Sequence, residues 1–195
     1  PGSAKQAGGG ANAFVGKTIV SSLKKYEWIG AYHKNKNKSM KNQVKLDITK
    51  RKQVIKVLKK ANPDIMIVLS AISSNREKKE RIKKVNTDSI SNITLSLKKL
   101  KMNPKIIFFS TDQIFDGKKG RYSENDAPHP INEYGKSKLK AEKIIKKNKK
   151  YLILRCSLIL GNKAEDDHGN FITNFINSKE KLRVFSIIRP HGMRG

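Results

Sequence analysis

Three short apolar runs, each preceded by a helical pattern, constrain the fold of this chain more than any other feature. Each run is rich in Ile, Leu, Val or Phe and short enough for a strand buried on both faces; they are IMIVLSA (65–71), KIIFFST (105–111) and YLILRCSLILG (151–161). The helical patterns lie at 50–61, 81–101 and 139–150. This alternation predicts an α/β fold, a parallel sheet with helices on both faces, in which ligands bind beyond the carboxyl ends of the strands.

The composition of the 195 residues, 36% hydrophobic and 30% charged, is polar for a globular protein but is not that of a disordered chain. No apolar run approaches the roughly 20 residues of a membrane span, and no basic segment followed by an apolar one marks a secretory signal. We therefore expect no membrane association and a cytoplasmic location. The only cysteine, Cys156, excludes an internal disulfide, and its apolar surroundings indicate a buried thiol.

The net charge of +27 has two interpretations. Clustered Lys and Arg are typical of nucleic-acid binders, whereas a lysine-rich composition also fills solvent-facing positions. Here the lysines are spread from residue 5 to residue 181, and arginine is scarce beside them. We favour solvent-facing lysines, and expect no specific nucleic-acid partner and only weak binding to polyanions. The histidines at 33, 129, 168 and 191 lack metal-ligand spacing, so we expect no metal site.

The stretch GGGANAFVGKTIVSSL (8–23) is typical of a glycine-rich turn that opens a helix. Gly10, Ala13 and Gly16 recur every three residues, a spacing that lets the backbone approach a pyrophosphate at the helix N-terminus. The methyl group of Ala13 leaves less room between the backbone and a pyrophosphate. The preceding residues, PGSAKQA, are not the apolar strand expected at the centre of such a sheet. Either that strand is lost, or the natural chain begins elsewhere.

Basic and acidic residues follow the next two expected strands. His33 and Lys34 come after EWIGAY, where a dinucleotide site selective for NAD often has an acidic residue. Cations there favour the 2′-phosphate of NADP, although they are equally well explained as surface charges. Asp47 and Ile48 follow the expected third strand. They either contact the adenine end of a dinucleotide or precede a helix that Asp47 or Thr49 caps.

The segment NEYGKSKLKAE (132–142) places Tyr134 four residues before Lys138 on a predicted helix that Asn132 caps. An ammonium near a phenol lowers its pKa, which would let Tyr134 exchange a proton near neutral pH. The spacing alone is frequent by chance. However, Ser110 and Thr111 stand at the end of the strand KIIFFST, where a hydroxyl can bind the same substrate oxygen.

The block FFSTDQIFDGKKGRYSENDAPHPINEYGKSKLKAE (108–142) resembles the extended short-chain dehydrogenase/reductases, and within them the dTDP-4-dehydrorhamnose reductases. The resemblance is carried by STD, FDG, a loop of the form Y-x-E-x-D-x-P-x-P-x-N, and YGKSKLxAE. NPDIMIVLSA resembles the fourth strand of that family, and LILRCSLILG and GNFITNFI resemble the strand and helix that follow its active site.

The resemblance implies roles for individual residues. Tyr134 would be the catalytic acid, Lys138 its activator and a ribose ligand, and Thr111 the hydroxyl that orients the carbonyl. Asn86 would be a structural or proton-relay asparagine, the alternative being a polar residue inside a helix and bonded to backbone. The implied cofactor site, in which Ala13 departs from the usual glycine, consists of Gly10, Ala13, Phe14, Gly16, His33, Lys34, Asp47, Ile48, Ser70, Ala71, Tyr134 and Lys138.

The implied reaction is hydride transfer from NADP(H), with NAD(H) as the alternative, to the C4 ketone of a nucleotide-linked deoxysugar. The family also has a C-terminal substrate lobe. We expect a Rossmann-type domain at 1–161 and only the start of that lobe at 162–195, so both termini look cut or altered. The alternatives are other chemistry of the family on a nucleotide sugar, such as 4-epimerisation or dehydration, and a non-catalytic NADP-binding regulatory subunit. A homodimer is a further expectation.

Overall fold

The computed structural model describes residues 15–16, 19, 29–34, 36, 41–72 and 77–157, together with the backbone of 186–187. The strands are β1 (Gly30–Tyr32), β2 (Gln43–Lys45), β3 (Ile65–Val68), β4 (Lys105–Thr111), β5 (Tyr151–Cys156) and β6 (Ser186–Ile187). The helices are α1 (Arg51–Ala61), α2 (Lys79–Lys83), α3 (Ser89–Lys99) and α4 (Glu133–Ile145), with a π-helical turn at Lys84–Asp88 and a 3-10 turn at Asp112–Ile114.

Every described strand pair is parallel. Strand β1 pairs with β2, and the other four strands form a sheet of order β3-β4-β5-β6. The three strands predicted from apolar runs are therefore neighbours, and the α/β fold of Rossmann type is confirmed. Because the strands within each sheet are parallel, their carboxyl ends meet at one edge of that sheet, and at that edge of the larger sheet Thr111 is level with Cys156. The division at 161/162 lies outside the described residues and stays a prediction.

The core forms where the apolar stripes of the helices pack on one sheet face. On α1, Val54 and Leu58 are buried while its lysines stay exposed, as helical spacing requires. The helix ends at Asn62, which adopts a left-handed conformation (φ 36°) and donates its N–H to the Leu58 carbonyl. The buried side chains of this face are Val54, Leu58, Val68, Ile90, Ile93, Leu97, Ile106, Phe108, Ala141, Ile145 and Ile153. None of the described helices is long and apolar enough to cross a membrane.

The helical pattern at 81–101 predicts one uninterrupted helix, but the structure contains α2, the π-helical turn and α3 in its place. The turn accommodates an extra residue in the helix and buries Asn86 and Thr87 against α4. Thr87 Oγ1 donates to the Ser137 carbonyl oxygen at 3.0 Å, and Asn86 Nδ2 donates to Ser137 Oγ at 2.9 Å. In this segment, polar contacts to α4 are made at the cost of regular α-helical geometry.

Candidate active site

The carboxyl end of β4 forms the first wall of the site. Thr111 is buried at the last position of the strand, and its hydroxyl oxygen accepts the N–H of Gln113 at 3.2 Å, which starts the 3-10 turn. The same hydroxyl lies 3.1 Å from Asp112 Oδ1 and hydrogen-bonds the phenol of Tyr134. The predicted convergence of Thr111 and Tyr134 is therefore present in the structure.

Helix α4 carries Tyr134 and Lys138 and begins where the sequence predicts. The side-chain oxygen of Asn132 accepts the N–H of Gly135 at 2.7 Å, which satisfies a free donor of the first turn. Its Nδ2 donates to Gln113 Oε1 at 2.9 Å. The cap therefore also ties the start of the helix to the turn that follows Thr111.

Gly135 lets α4 approach that turn closely. A Cβ atom at this position would lie 2.1 Å from the carbonyl oxygen of Gln113 and 3.1 Å from Pro130 Cβ. Only glycine fits without moving the backbone that carries Tyr134.

Gly135→Ala should therefore destabilise the protein, although alanine favours helix by about 1 kcal/mol over glycine. We expect a net loss of about 1–3 kcal/mol, because the methyl group must displace backbone rather than a flexible side chain. Urea denaturation of both proteins measures the loss. Lys136→Ala, an exposed change at the next residue of the same helix, is the control and should change the unfolding free energy by under about 0.5 kcal/mol. Equal stability of Gly135→Ala and its parent would contradict the contact.

Lys138 is buried behind Tyr134 rather than exposed on the lysine-rich surface. Its Nζ donates to the Phe109 carbonyl oxygen at 2.5 Å and lies 4.0 Å from the centroid of the Phe108 ring. Burial lowers the pKa of Lys138 to about 7, against the smaller opposing effect of Glu142. Lys138 is therefore unlike the surface lysines in both contacts and charge.

The prediction that a nearby ammonium lowers the pKa of Tyr134 is wrong in this structure. Burial raises that pKa, and the hydrogen bond to Thr111 opposes the rise only in part. The nearby Asp112 and Cys156 raise it further. The phenol therefore keeps its proton at neutral pH, which suits a group that gives a proton to a developing alkoxide.

Asn86 joins the segment after β3 to helix α4. Its Oδ1 accepts the N–H of Ile72 at 2.8 Å, and its Nδ2 donates to the Ile72 carbonyl oxygen at 2.9 Å as well as to Ser137. Ser70 and Ala71, the predicted cofactor-flanking residues, are half-buried immediately before Ile72. The structural interpretation of Asn86 is thus supported by its contacts, while its role as a proton relay stays a prediction.

The other predicted cofactor residues lie at the ends of β1 and β2. His33 and Lys34 are exposed in a bend after β1, and His33 Nε2 is 3.9 Å from Asp47 Oδ2. Asp47 Oδ1 accepts the backbone N–H of Thr49 at 2.9 Å and its hydroxyl at 2.7 Å, so Asp47 orders the turn before α1. Ile48 beside it is half-buried.

Gly16, which is predicted to line the pyrophosphate, is helical and buried. Gly10, Ala13 and Phe14 lie outside the described residues, so the predicted pyrophosphate loop stays a prediction. Within the described part of the chain, no group of three or more His, Cys, Asp or Glu side chains is arranged to hold a metal ion.

The sequence interpretation missed a buried ion pair between Glu142 on α4 and Arg155 on β5. Arg155 Nη2 lies 2.9 Å from Glu142 Oε2, and Ser110 Oγ donates to Glu142 Oε1 at 2.5 Å. The signal was present, because an arginine within the apolar strand YLILRC must find a buried partner. Sequence patterns do not say which acid that partner is.

The parallel sheet and the hydroxyl, phenol and lysine at its carboxyl edge define a Rossmann-type α/β protein. A family model described as the RmlD substrate binding domain matches residues 8–189. The chain belongs to this family.

Relatives and solved structures agree with that assignment. The chain is 30% identical to the dTDP-4-dehydrorhamnose reductase of Aggregatibacter actinomycetemcomitans over 70% of this chain and 45% of that protein. It is 27% identical to methionine adenosyltransferase 2 subunit beta of Danio rerio over 78% of this chain and 47% of that protein. A crystal structure of a hypothetical dTDP-4-dehydrorhamnose reductase from Sulfolobus tokodaii has a TM-score of 0.71 and 32% identity, covering 80% of this chain and 56% of that one. The chain therefore spans about half the length of these proteins.

Proposed function

We propose that this chain forms the cofactor-binding and catalytic part of an NADP(H)-dependent short-chain dehydrogenase/reductase. It would reduce the 4-keto group of a nucleotide-linked deoxysugar, as in dTDP-rhamnose biosynthesis. The observation that carries the proposal is the hydrogen bond between Thr111 and Tyr134, with the buried Lys138 one helical turn further along α4. The named relatives that are reductases of dTDP-4-dehydrorhamnose support this choice of substrate class.

The described residues suit the two halves of such a reduction. The reduced nicotinamide, when bound, supplies a hydride to the ketone carbon. Thr111 and Tyr134 would hold the ketone oxygen, and Tyr134 would give its proton to that oxygen as negative charge develops. Lys138 would bind the ribose. Its hydrogen bond to the Phe109 carbonyl oxygen would fix the position of its amino group at the buried end of the site.

The chemistry of the strand ends fits a dinucleotide. In chain order, His33 and Lys34 follow β1, Asp47 and Ile48 follow β2 after one intervening residue, and β3 leads into 70–72, which Asn86 holds in place. Exposed cations after β1 suit the 2′-phosphate of NADP, which is why we prefer NADP(H) over NAD(H). His33 already lies near Asp47, which competes with a phosphate for its ring. We therefore expect Lys34 to contribute more than His33 to binding of the 2′-phosphate.

Replacing both residues, His33→Ala with Lys34→Ala, should weaken NADPH binding about 10-fold or more, because the charge-assisted bond from Lys34 to a phosphate and a hydrogen bond from His33 are lost. NADH lacks that phosphate, so its affinity should change less than about 2-fold. Fluorescence titration of both nucleotides measures the two ratios. Lys36→Ala, two residues further on, is the matched control. Equal weakening of NADPH and NADH would refute the assignment of the 2′-phosphate site.

The reaction itself is tested by turnover of the purified chain with NADPH and a dTDP-4-dehydro-6-deoxy sugar. We expect one NADPH to be consumed for each ketone reduced. An epimerase returns its hydride, so sugar conversion without net NADPH consumption would replace our proposal with that alternative. Binding of NADPH with no turnover of any such sugar would also contradict it.

A second candidate, a non-catalytic regulatory subunit, is favoured by the likeness to methionine adenosyltransferase 2 subunit beta. Such a protein would bind NADP(H) through the same strand ends but would need no proton donor. In that case Tyr134→Phe would leave its binding to a partner enzyme unchanged. The cytoplasmic location and the homodimer stay predictions.

A further inference from the structure

A loop at 115–126 runs from the end of β4 toward α4, and the ion pair of Glu142 and Arg155 lies beneath it. The two side chains are only 1% and 7% exposed. Their contact is bidentate: Nη2 to Oε2 is 2.9 Å, and Nε to Oε1 is 3.2 Å. The pair is therefore held in one geometry rather than fluctuating in solvent.

The pair is also connected to the loop. Arg155 Nη1 donates to the Glu124 carbonyl oxygen at 3.3 Å, and its guanidinium lies 5.4 Å from the centroid of the Phe115 ring. Phe115 in turn stacks on Tyr122 with ring centroids 4.5 Å apart. Tyr122 donates its hydroxyl to Asp116 and accepts the N–H of Lys119 at 3.0 Å. Arg155 thus contacts the loop near both of its ends, at Phe115 and at Glu124, while Asp126 ties its middle together through Lys119 and Ser123.

The pair adjoins the proposed reaction centre on two sides. Ser110, which donates to Glu142, is the residue before Thr111, and Glu142 lies one helical turn after Lys138. Burying two charges is costly, and apolar side chains of similar volume often stabilise a fold equally well. Stability alone therefore does not explain the pair. The geometry of the pair explains it better. The planar guanidinium of Arg155 can donate to a carboxylate and to a loop carbonyl at the same time, whereas the single amino group of a lysine cannot.

We propose that Glu142 and Arg155 are a positioning pair that holds the 115–126 loop as the substrate-side wall beside Thr111 and Tyr134. The proposal rests on the proposed function for the identity of the bound sugar, but not for the anchoring of the loop. It assigns these residues to the sugar side of the site, whereas the predicted cofactor residues at 33–34, 47–48 and 70–71 follow β1, β2 and β3.

The test is Arg155→Lys in the 195-residue chain, which keeps a buried cation for Glu142 but removes the reach to Glu124. We expect the KM for the dehydro sugar to rise about 10-fold or more, because a wall of the site is no longer held in place. The kcat and the Kd for NADPH should change less than about 2-fold, since neither group touches the reacting atoms or the cofactor residues. Amide hydrogen exchange of 116–126 should accelerate about 10-fold, with α1 unchanged.

Two further variants separate positioning from folding. Arg81→Lys, in an exposed pair with Glu77 at 3.2 Å, is the control and should leave every readout unchanged. The double variant Glu142→Leu with Arg155→Met removes both buried charges and should fold, yet show the same rise in KM and in loop exchange. An unchanged KM in either Arg155 variant, with only a lower Tm, would overturn the proposal. If the parent chain shows no turnover, the proposed function fails, and loop exchange alone decides: acceleration supports the anchoring and its absence overturns it.

Discussion

Tyr134→Phe should lower kcat by about 10²- to 10⁴-fold, the usual contribution of a positioned proton donor. The change removes one hydroxyl and keeps the ring, so packing at the start of α4 is preserved. Thr111 would lose its hydrogen bond to the phenol but keep those to Asp112 and Gln113, and it would still hold the ketone oxygen. Because the lost interaction forms with the developing alkoxide, KM should change less than kcat.

The assay is single-turnover oxidation of NADPH in the presence of a dTDP-4-dehydro sugar, with the Kd for NADPH measured in parallel. That Kd should stay within about 2-fold of the parent value, which shows that the cofactor site is intact. Tyr151→Phe is the matched control, since Tyr151 starts β5 at the opposite edge of the sheet and is 41% exposed. Parental turnover in Tyr134→Phe would remove Tyr134 from the mechanism.

The elements with the strongest local signals were predictable from sequence. Strand β4 occupies the apolar run 105–111 from end to end, because seven residues suited to burial leave little choice of boundary. Helix α4 begins after Asn132, as its cap predicts, rather than at residue 139 where the apolar pattern becomes regular. The convergence of Thr111 and Tyr134 was implied by the family resemblance, and the position of Thr111 at a strand end agreed with it.

The features that could not be predicted depend on contacts between segments far apart in the sequence. The π-helical turn at 84–88 places Asn86 and Thr87 against Ser137, which lies 51 and 50 positions away in sequence. The pKa of Tyr134 is set by burial, which a helical spacing of four does not reveal. The sequence singled out Lys138 as a site residue, but it did not reveal the complete burial of that side chain or its contact with Phe109.

Lys138→Met should lower turnover, because the proposed ribose ligand is lost, and, below pH 7, make the protein more stable. Burial lowers the pKa of Lys138 from 10.5 to about 7, so the folded state binds its proton less tightly than the unfolded state does. Each pKa unit corresponds to about 1.4 kcal/mol, which puts the cost of the buried ammonium on the order of 5 kcal/mol. The variant also loses the hydrogen bond to Phe109 and the contact with Phe108, which reduces its gain in stability by about 1–3 kcal/mol.

The pH decides whether the parent or Lys138→Met is the more stable protein. Below pH 7 both states of the parent hold the proton, so the folded state bears the full cost of burial and the variant is the more stable protein. Between pH 7 and pH 10.5 the folded parent loses its proton before the unfolded chain does, so the stability of the parent rises with pH. Near pH 10.5 the buried amine is neutral and keeps its hydrogen bond, so the order of stability should reverse.

Urea denaturation of parent and variant at pH 6, 8 and 10 measures the crossing. Lys136→Met is the matched control, because Lys136 lies on the same helix but is half-exposed, 3.3 Å from Glu133. It should leave turnover unchanged and shift the unfolding free energy by less than about 1 kcal/mol at every pH. A constant stability difference for Lys138→Met from pH 6 to pH 10 would mean that Lys138 keeps its ordinary pKa. Loss of turnover together with greater stability at pH 6 would instead show that the fold retains a costly buried lysine for its chemistry.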